Sequence, residues 1–237
     1  MPSFAIIVPC YNEEKRIQPS LFILFAHLHK AVKFFFVNDG SKDETANIIK
    51  KMVAECENIE LINLSKNYGK GEAVRQGLVS ALSKNNFDYI GYLDADLSTS
   101  LEEYYELCIY AYQNNADFIF GSRIKKLGSI INRSFIRHVS GRILVTFIDK
   151  KFRLGYYDTQ CGAKLFKSQV LCNIIQQPFL TSWFFDIEIF LRLKAENKKY
   201  YGIEYPLKIW NNITGSKLNV LSFPAVCKEV FVLLSKY

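Results

Sequence analysis

The chain has 237 residues and is 49% hydrophobic, which suits one domain with a full buried core. Its formal net charge of +7 favours anionic partners: phosphorylated ligands, acidic lipid or nucleic acid. No RNA-binding aromatic strand, zinc finger or recognition-helix signature is present, so no nucleic acid is expected, and no apolar run reaches the ~18 residues of a membrane span. The six cysteines, at 10, 56, 108, 161, 172 and 227, lack the close spacing of a zinc or redox motif. With no signal peptide before the first apolar run, the expected setting is reduced and cytoplasmic, at the inner face of a membrane. Aromatics reach 15%, which fits either an aromatic-rich core or aromatic surface facing a ligand or membrane interface.

In chain order, Phe4 to Val8 is a short continuous apolar run, as a strand buried on both faces requires. A helix is predicted from about Glu14 to Leu28, a strand over Phe34 to Val37, and a helix from Asp43 to Cys56 that Ser41 or Asp43 can cap. Ile59 to Leu64 reads as the third strand. Gly71 to Leu82 is the clearest amphipathic helix, with Ala73, Val74, Gly77, Leu78, Ala81 and Leu82 at helical spacing. Tyr89 to Leu93 is the fourth strand, Leu101 to Asn114 a helix and Asp117 to Phe120 a fifth strand. The repeated β-α units predict a mostly parallel sheet with helices on both faces and ligands beyond the carboxyl ends of its strands. Beyond this the rhythm breaks. Asn132 to Ile148 reads as helix, Gly162 to Phe166 as strand, Phe184 to Ala195 as helix, Lys199 to Trp210 as extended, and about Phe223 to Ser235 as a last helix.

Four polar clusters follow the first four strands: Pro9 to Glu14, Asn38 to Ser41, Asn67 to Gly71, and Asp94-Ala95-Asp96. Together they line one edge of the expected sheet. Two carboxylates one residue apart at a strand end offer oxygen ligands to a hard cation, and Mg²⁺ or Mn²⁺ is the expected cofactor. Asp39 can accept from a base edge or a ribose hydroxyl, or it can simply form the Asn-Asp-Gly-Ser turn. Lys70, between two glycines at a helix start, can meet a diphosphate with backbone N–H groups and its ammonium. The Gly-x-Gly here follows the third strand and is neither a Walker A loop nor a dinucleotide fingerprint.

In this order the clusters resemble the family 2 glycosyltransferases, whose nucleotide-sugar-binding fold is called GT-A. The resemblance runs from Ile6 to about Leu218 and rests on Val8 to Glu14, Val37 to Thr45 and Leu93 to Asp96. Gly121-Ser122-Arg123, Asp158 to Phe166, Trp183 to Glu188 and Gly215 to Leu218 look more narrowly like the dolichyl-phosphate glucosyltransferases. The resemblance implies that Pro9, Tyr11, Glu13, Val37 and Asp39 hold the nucleoside. Asp94, Ala95 and Asp96 then sit at the diphosphate, with Asp96 the main metal ligand, and Arg123 approaches the donor or acceptor phosphate. Ser98 stands where mannosyltransferases often carry Gln. The N-terminal membrane anchor of the eukaryotic glucosyltransferases is not expected.

The reaction so implied moves a hexose, glucose first, from a UDP-sugar in preference to a GDP-sugar. The leading acceptor is a polyprenyl or dolichyl phosphate. A phosphate acceptor is already anionic and needs positioning by cations, for which Arg123 and Arg137 are the candidates. A sugar hydroxyl in a surface glycan would instead need a base, Asp186 first and Glu188 second. A non-catalytic nucleotide-sugar-binding subunit is the third possibility. Phe135, Val139, Ile143 and Phe147 fall four apart beside Arg133, Arg137 and Arg142, a pattern that suits peripheral contact with an anionic membrane. The expected organisation is a GT-A domain over 1–218 and an amphipathic tail helix over 219–237.

Overall fold

The computed structural model describes residues 2–237 except 85, 133–145, 147, 149 and 214–222, and describes 223–227 by backbone alone. Four strand–helix alternations open the chain: β1 (Phe4–Cys10), α1 (Pro19–Leu28), β2 (Val32–Asn38), α2 (Thr45–Glu55), β3 (Ile59–Asn63), α3 (Lys70–Ser83), β4 (Tyr89–Leu93) and α4 (Leu101–Gln113). Then come β5 (Phe118–Ser122), β6 (Ile130–Asn132), β7 (Ala163–Lys167), α5 (Ser168–Ile174), α6 (Phe185–Ala195), β8 (Gly202–Pro206), β9 (Ile209–Asn211) and α7 (Phe223–Lys236).

Seven strands form one sheet in the order β3-β2-β1-β4-β7-β5-β8, and β6 pairs with β9 in a small second sheet. All neighbours in the large sheet are parallel except β7, which runs antiparallel between β4 and β5. Alternate side chains feed two cores. Phe4, Ile6, Phe34 and Phe36 face α1, α2 and α4, while Ala5, Ile7, Phe35 and Val37 face α3, α5 and α6. This is the expected α/β architecture, and much of the aromatic surplus lies in these cores. α3 lies close on the sheet because residue 77 is glycine: a Cβ there would sit 2.9 Å from Val37 Cγ2 and drive into Ile7.

Two helix boundaries differ from the sequence expectation, and one helix, α5, was not expected. α1 begins at Pro19, whose fixed φ suits a first helical turn. The stretch from Glu13 to Ile17 is a turn closed by the Arg16 and Ile17 N–H groups donating to the Glu13 carbonyl. Ile130–Asn132 is a strand paired with β9, so the predicted helix cannot begin at Asn132; of its remainder only Thr146 and Ile148 are described, both helical. α5 follows β7 directly, with no turn signal between them. A third cluster joins Leu233 of α7 to Ile148, Phe152, Phe184, Ile187 and Leu191, so the tail helix is docked on the body through α6.

Candidate active site

The order β3-β2-β1-β4 reverses direction between β1 and β4, and a crevice opens there beyond the strand ends. All four polar clusters lie at that edge. Because β5 runs parallel to β4 across the antiparallel β7, Arg123 at its end and the turn before β7 lie there too.

The first two clusters are laced together. The Asn12 N–H donates to Ser41 Oγ (3.0 Å), Lys42 N–H to Asn12 Oδ1 (2.9 Å), Glu13 N–H to Thr45 Oγ1 (2.7 Å) and Glu14 N–H to Asp43 Oδ2 (3.2 Å). Asp43 also accepts the Thr45 N–H and hydroxyl, so it does secure the start of α2. Burial opposes ionisation of Asp43, but these bonds outweigh it and lower its pKa. Asn12 and Gly40 have positive φ, which lets each loop fold back on the other. An open cleft of about 790 Å³ runs from Asp96 along Asn12 and residues 14–18 to Asp43.

Asp39 is 3% exposed, and its carboxylate accepts the backbone N–H groups of Tyr68 (2.7 Å) and Gly69 (2.9 Å). It thereby ties the end of β2 to the turn that opens α3. Lys70, the first residue of α3, reaches across the crevice to Asp94 Oδ1 at 2.6 Å. Burial opposes the charge of Lys70, but the Asp94 and Asp186 carboxylates outweigh it and raise its pKa. Asp96 Oδ1 accepts the Ser98 N–H (3.0 Å), and its Oδ2 lies 4.0 Å from Arg16, whose guanidinium also pairs with Glu13. Leu97, between these contacts, holds φ +54°, a costly conformation for a non-glycine residue that concentrates at functional turns.

Asp94 has its space because residue 162 is glycine. A Cβ there would collide with the Asp94 carboxylate, and the Asp94 N–H donates to the Gly162 carbonyl at 3.2 Å. Arg123 is gripped by Asp158, whose carboxylate accepts Nε and Nη2 (both 2.7 Å) and the Arg123 backbone N–H (2.9 Å). Its guanidinium also lies 5.3 Å from the Trp210 ring. Glu204 on β8 accepts the N–H groups of Tyr157 and Asp158, both at 2.8 Å, and so fixes the carboxylate that aims Arg123.

Asp186 lies in the first turn of α6 and is 4% exposed. It receives a hydrogen bond from the Tyr92 hydroxyl and pairs with Lys164, an ammonium with no exposed surface that also donates to the Cys161 carbonyl (2.6 Å). Burial first, then the Asp186 charge, pushes the Tyr92 pKa well above its ordinary value. Glu188 is wholly buried and accepts from Leu180 N–H, from Thr181 N–H and hydroxyl, and from Arg192.

The site residues expected from the sequence therefore sort by place. Pro9, Tyr11, Glu13, Asp39, Lys70, Asp94, Asp96 and Arg123 share the crevice edge. The side chains of Val37 and Ala95 belong to the two hydrophobic cores, so these residues can offer a ligand only backbone groups. Arg137, the basic helix face around it and the Gly215 to Leu218 motif lie outside the described residues. Sequence reasoning gave no role to Arg16, Lys164, Asp158 or Gly162. Arg16 stands just beyond the first cluster, and the other three lie within the Asp158 to Phe166 motif, but their partners come from distant positions.

The sequence profile of glycosyl transferase family 2 matches residues 5–172. A dolichyl-phosphate beta-glucosyltransferase of Trichomonas vaginalis is 30% identical over 229 residues, 91% of this chain and 68% of that protein. The human dolichyl-phosphate beta-glucosyltransferase is 31% identical over 233 residues, 90% of this chain and 69% of that one. Among solved structures, glucosyl-3-phosphoglycerate synthase from Mycobacterium tuberculosis, in complex with Mn²⁺ and UDP-glucose, superposes with a TM-score of 0.72 at 13% identity, covering 98% of this chain and 78% of that one. A profile match across most of the chain, together with a crevice built from the residues that carry it, places the protein in glycosyl transferase family 2, as an enzyme that takes a sugar from a nucleotide-sugar donor.

Proposed function

We propose that this enzyme transfers glucose from UDP-glucose, with inversion, to a polyprenyl or dolichyl phosphate, using Mg²⁺ or Mn²⁺ at Asp94 and Asp96. The observation that carries the choice of acceptor is the commitment of Asp186. A hydroxyl nucleophile needs a base within hydrogen-bonding reach. Asp186 is buried against Lys164 and Tyr92, and Glu188 is enclosed by Arg192 and the Leu180–Thr181 backbone. A phosphate monoester arrives with its negative charge and needs no base. The names of the two relatives support the same acceptor and sugar.

The residues present suit a divalent ion. Asp94 and Asp96 supply two carboxylates, and the missing side chain of Gly162 leaves room for that of Asp94; among the described residues no group of three His, Cys, Asp or Glu side chains could hold a metal without further ligands. Two carboxylates completed by water and substrate phosphate are typical for Mg²⁺. The ion, when bound, offsets charge building on the departing diphosphate. Mn²⁺ in the similar synthase complex supports this assignment.

The chain's own residues divide the remaining work. Lys70 faces the diphosphate beside Asp94 and stabilises the same developing charge. Asp39, at the end of β2, faces the nucleoside. Arg123, aimed by Asp158, presents its remaining N–H donors to the acceptor phosphate.

The test is product partition. Purified protein, UDP-glucose and a polyprenyl phosphate should give labelled product in the organic phase, and Asp96→Asn should abolish it. The asparagine keeps an oxygen for the Ser98 N–H, so the variant should remain folded. Transfer to a soluble sugar hydroxyl with none to lipid phosphate would overturn the acceptor, and full activity in EDTA would overturn the metal.

A further inference from the structure

We propose that Glu229, on the C-terminal helix α7, is a positioning residue for the donor: it holds residues 181–184 as a floor beneath the Gly69-Lys70-Gly71 turn. The proposal rests on the reading of that turn as the diphosphate site. Five successive backbone N–H groups, from Leu180 to Phe184, point at just two carboxylates. Glu188 accepts those of Leu180 (2.9 Å) and Thr181 (3.1 Å). Glu229 accepts those of Ser182 (3.1 Å), Trp183 (2.9 Å) and Phe184 (3.1 Å). α6 starts immediately afterwards, and Phe184 at its N-cap offers no side-chain cap. The free N–H groups before the helix are thus satisfied from another element, 45 residues away in sequence.

The same segment supports the Lys70 turn. Gly69 has φ +94°, and a Cβ there would strike the Ser182 hydroxyl. A Cβ on Gly71 would lie 2.9 Å from Phe185 Cβ and 3.2 Å from the Thr181 carbonyl. Lys70 Nζ itself stands 5.9 Å from the centre of the Phe185 ring. Two glycines without side chains let this floor come up against the turn, and any shift of residues 181–185 moves Lys70 relative to Asp94. Buried Leu233 also anchors helix α7, in the cluster with Phe184 and Ile187, so α7 holds this segment by packing as well as by the Glu229 carboxylate. A misplacement of about 1 Å at a charged contact is enough to cost a large factor in binding or rate.

The experiment measures UDP affinity in the presence of Mn²⁺ by calorimetry, steady-state kinetics with UDP-glucose, and hydrogen exchange of the 180–184 amides. Glu229→Ala should weaken UDP binding about tenfold and raise donor KM similarly, with kcat falling as well because Lys70 also meets the charge that develops on the departing diphosphate. Glu229→Gln keeps one acceptor oxygen and should fall between. Phe231→Ser, an exposed change on the same helix, should leave UDP affinity unchanged. Should Glu229→Ala not fold, Glu229→Gln decides: weaker UDP binding with faster exchange at 182–184 supports the proposal. Faster exchange with unchanged UDP affinity overturns it, because the cap is then purely structural. Lys70→Met separates the premises. If it too leaves UDP affinity unchanged, the reading of the turn as the diphosphate site has failed; if it alone weakens binding, only the role of Glu229 has.

Discussion

Both carboxylate oxygens of Asp39 accept backbone N–H groups from the turn that opens α3. In the sequence, turn former and nucleoside ligand are alternative roles for Asp39. The buried geometry shows a turn role at Tyr68–Gly69, while the turn at residues 38–41 is closed by Asn38, whose side chain accepts the Ser41 N–H. Each carboxylate oxygen has more than one lone pair, so a donor can still be accepted from a ligand. Asp39→Ala should therefore weaken UDP affinity and also destabilise the fold by roughly 1–3 kcal/mol, the cost of stranding buried donors. Thermal unfolding should show a fall of about 2–4 °C for each kcal/mol. An unchanged melting temperature would mean that water replaces the carboxylate without loss.

At the scale of elements, the antiparallel strand β7 sets the geometry of the acidic motif. It carries Lys164 into the core between Tyr92 and Asp186, and the turn before it brings Gly162 against Asp94. Gly162→Ala should displace the Asp94 carboxylate from its present position, because the added methyl and the carboxylate cannot share the space. The expected result is a loss of metal-dependent transfer of roughly tenfold or more, while circular dichroism stays native. Wild-type activity in this variant would show that the position of Asp94 is not critical. Strands β1 to β4 were legible because each is an apolar-rich run followed by a polar cluster, and β5 from its apolar run alone. The direction of β7 was not legible, since antiparallel and parallel strands buried on both faces have the same composition. The helix expected from Glu14 failed for a local reason: apolar periodicity does not reveal that Glu13 to Ile17 closes as a turn before Pro19.

For the whole molecule, the acceptor reading makes a membrane prediction. No helix among the described residues is long and apolar enough to cross a bilayer. The net charge of +7 and the exposed Lys150, Lys151 and Arg153 fit attraction to an anionic surface. Arg133, Arg137 and Arg142 would add to it. Each basic residue near such a surface contributes about 1 kcal/mol, screened by salt over a Debye length of about 10 Å at 0.1 M. The protein should sediment with phosphatidylserine liposomes at low salt and be released at high salt. Protein that stays in the supernatant at low salt would remove this part of the reading.

The sequence by itself determined the α/β class, the succession of the first five strands along the chain and the polar clusters that gather at one edge of the sheet. It could do so because apolar runs, helical spacing and strand-end polar clusters are local patterns. Only the tertiary structure decided what those residues hold: Lys70 on Asp94, Arg123 on Asp158, Asp186 committed to Lys164, and Glu229 on the backbone N–H of Ser182. Those pairs join positions from 22 to 47 residues apart. A charge in a sequence names no partner; burial, strand order and the close approach that a missing Cβ allows select one.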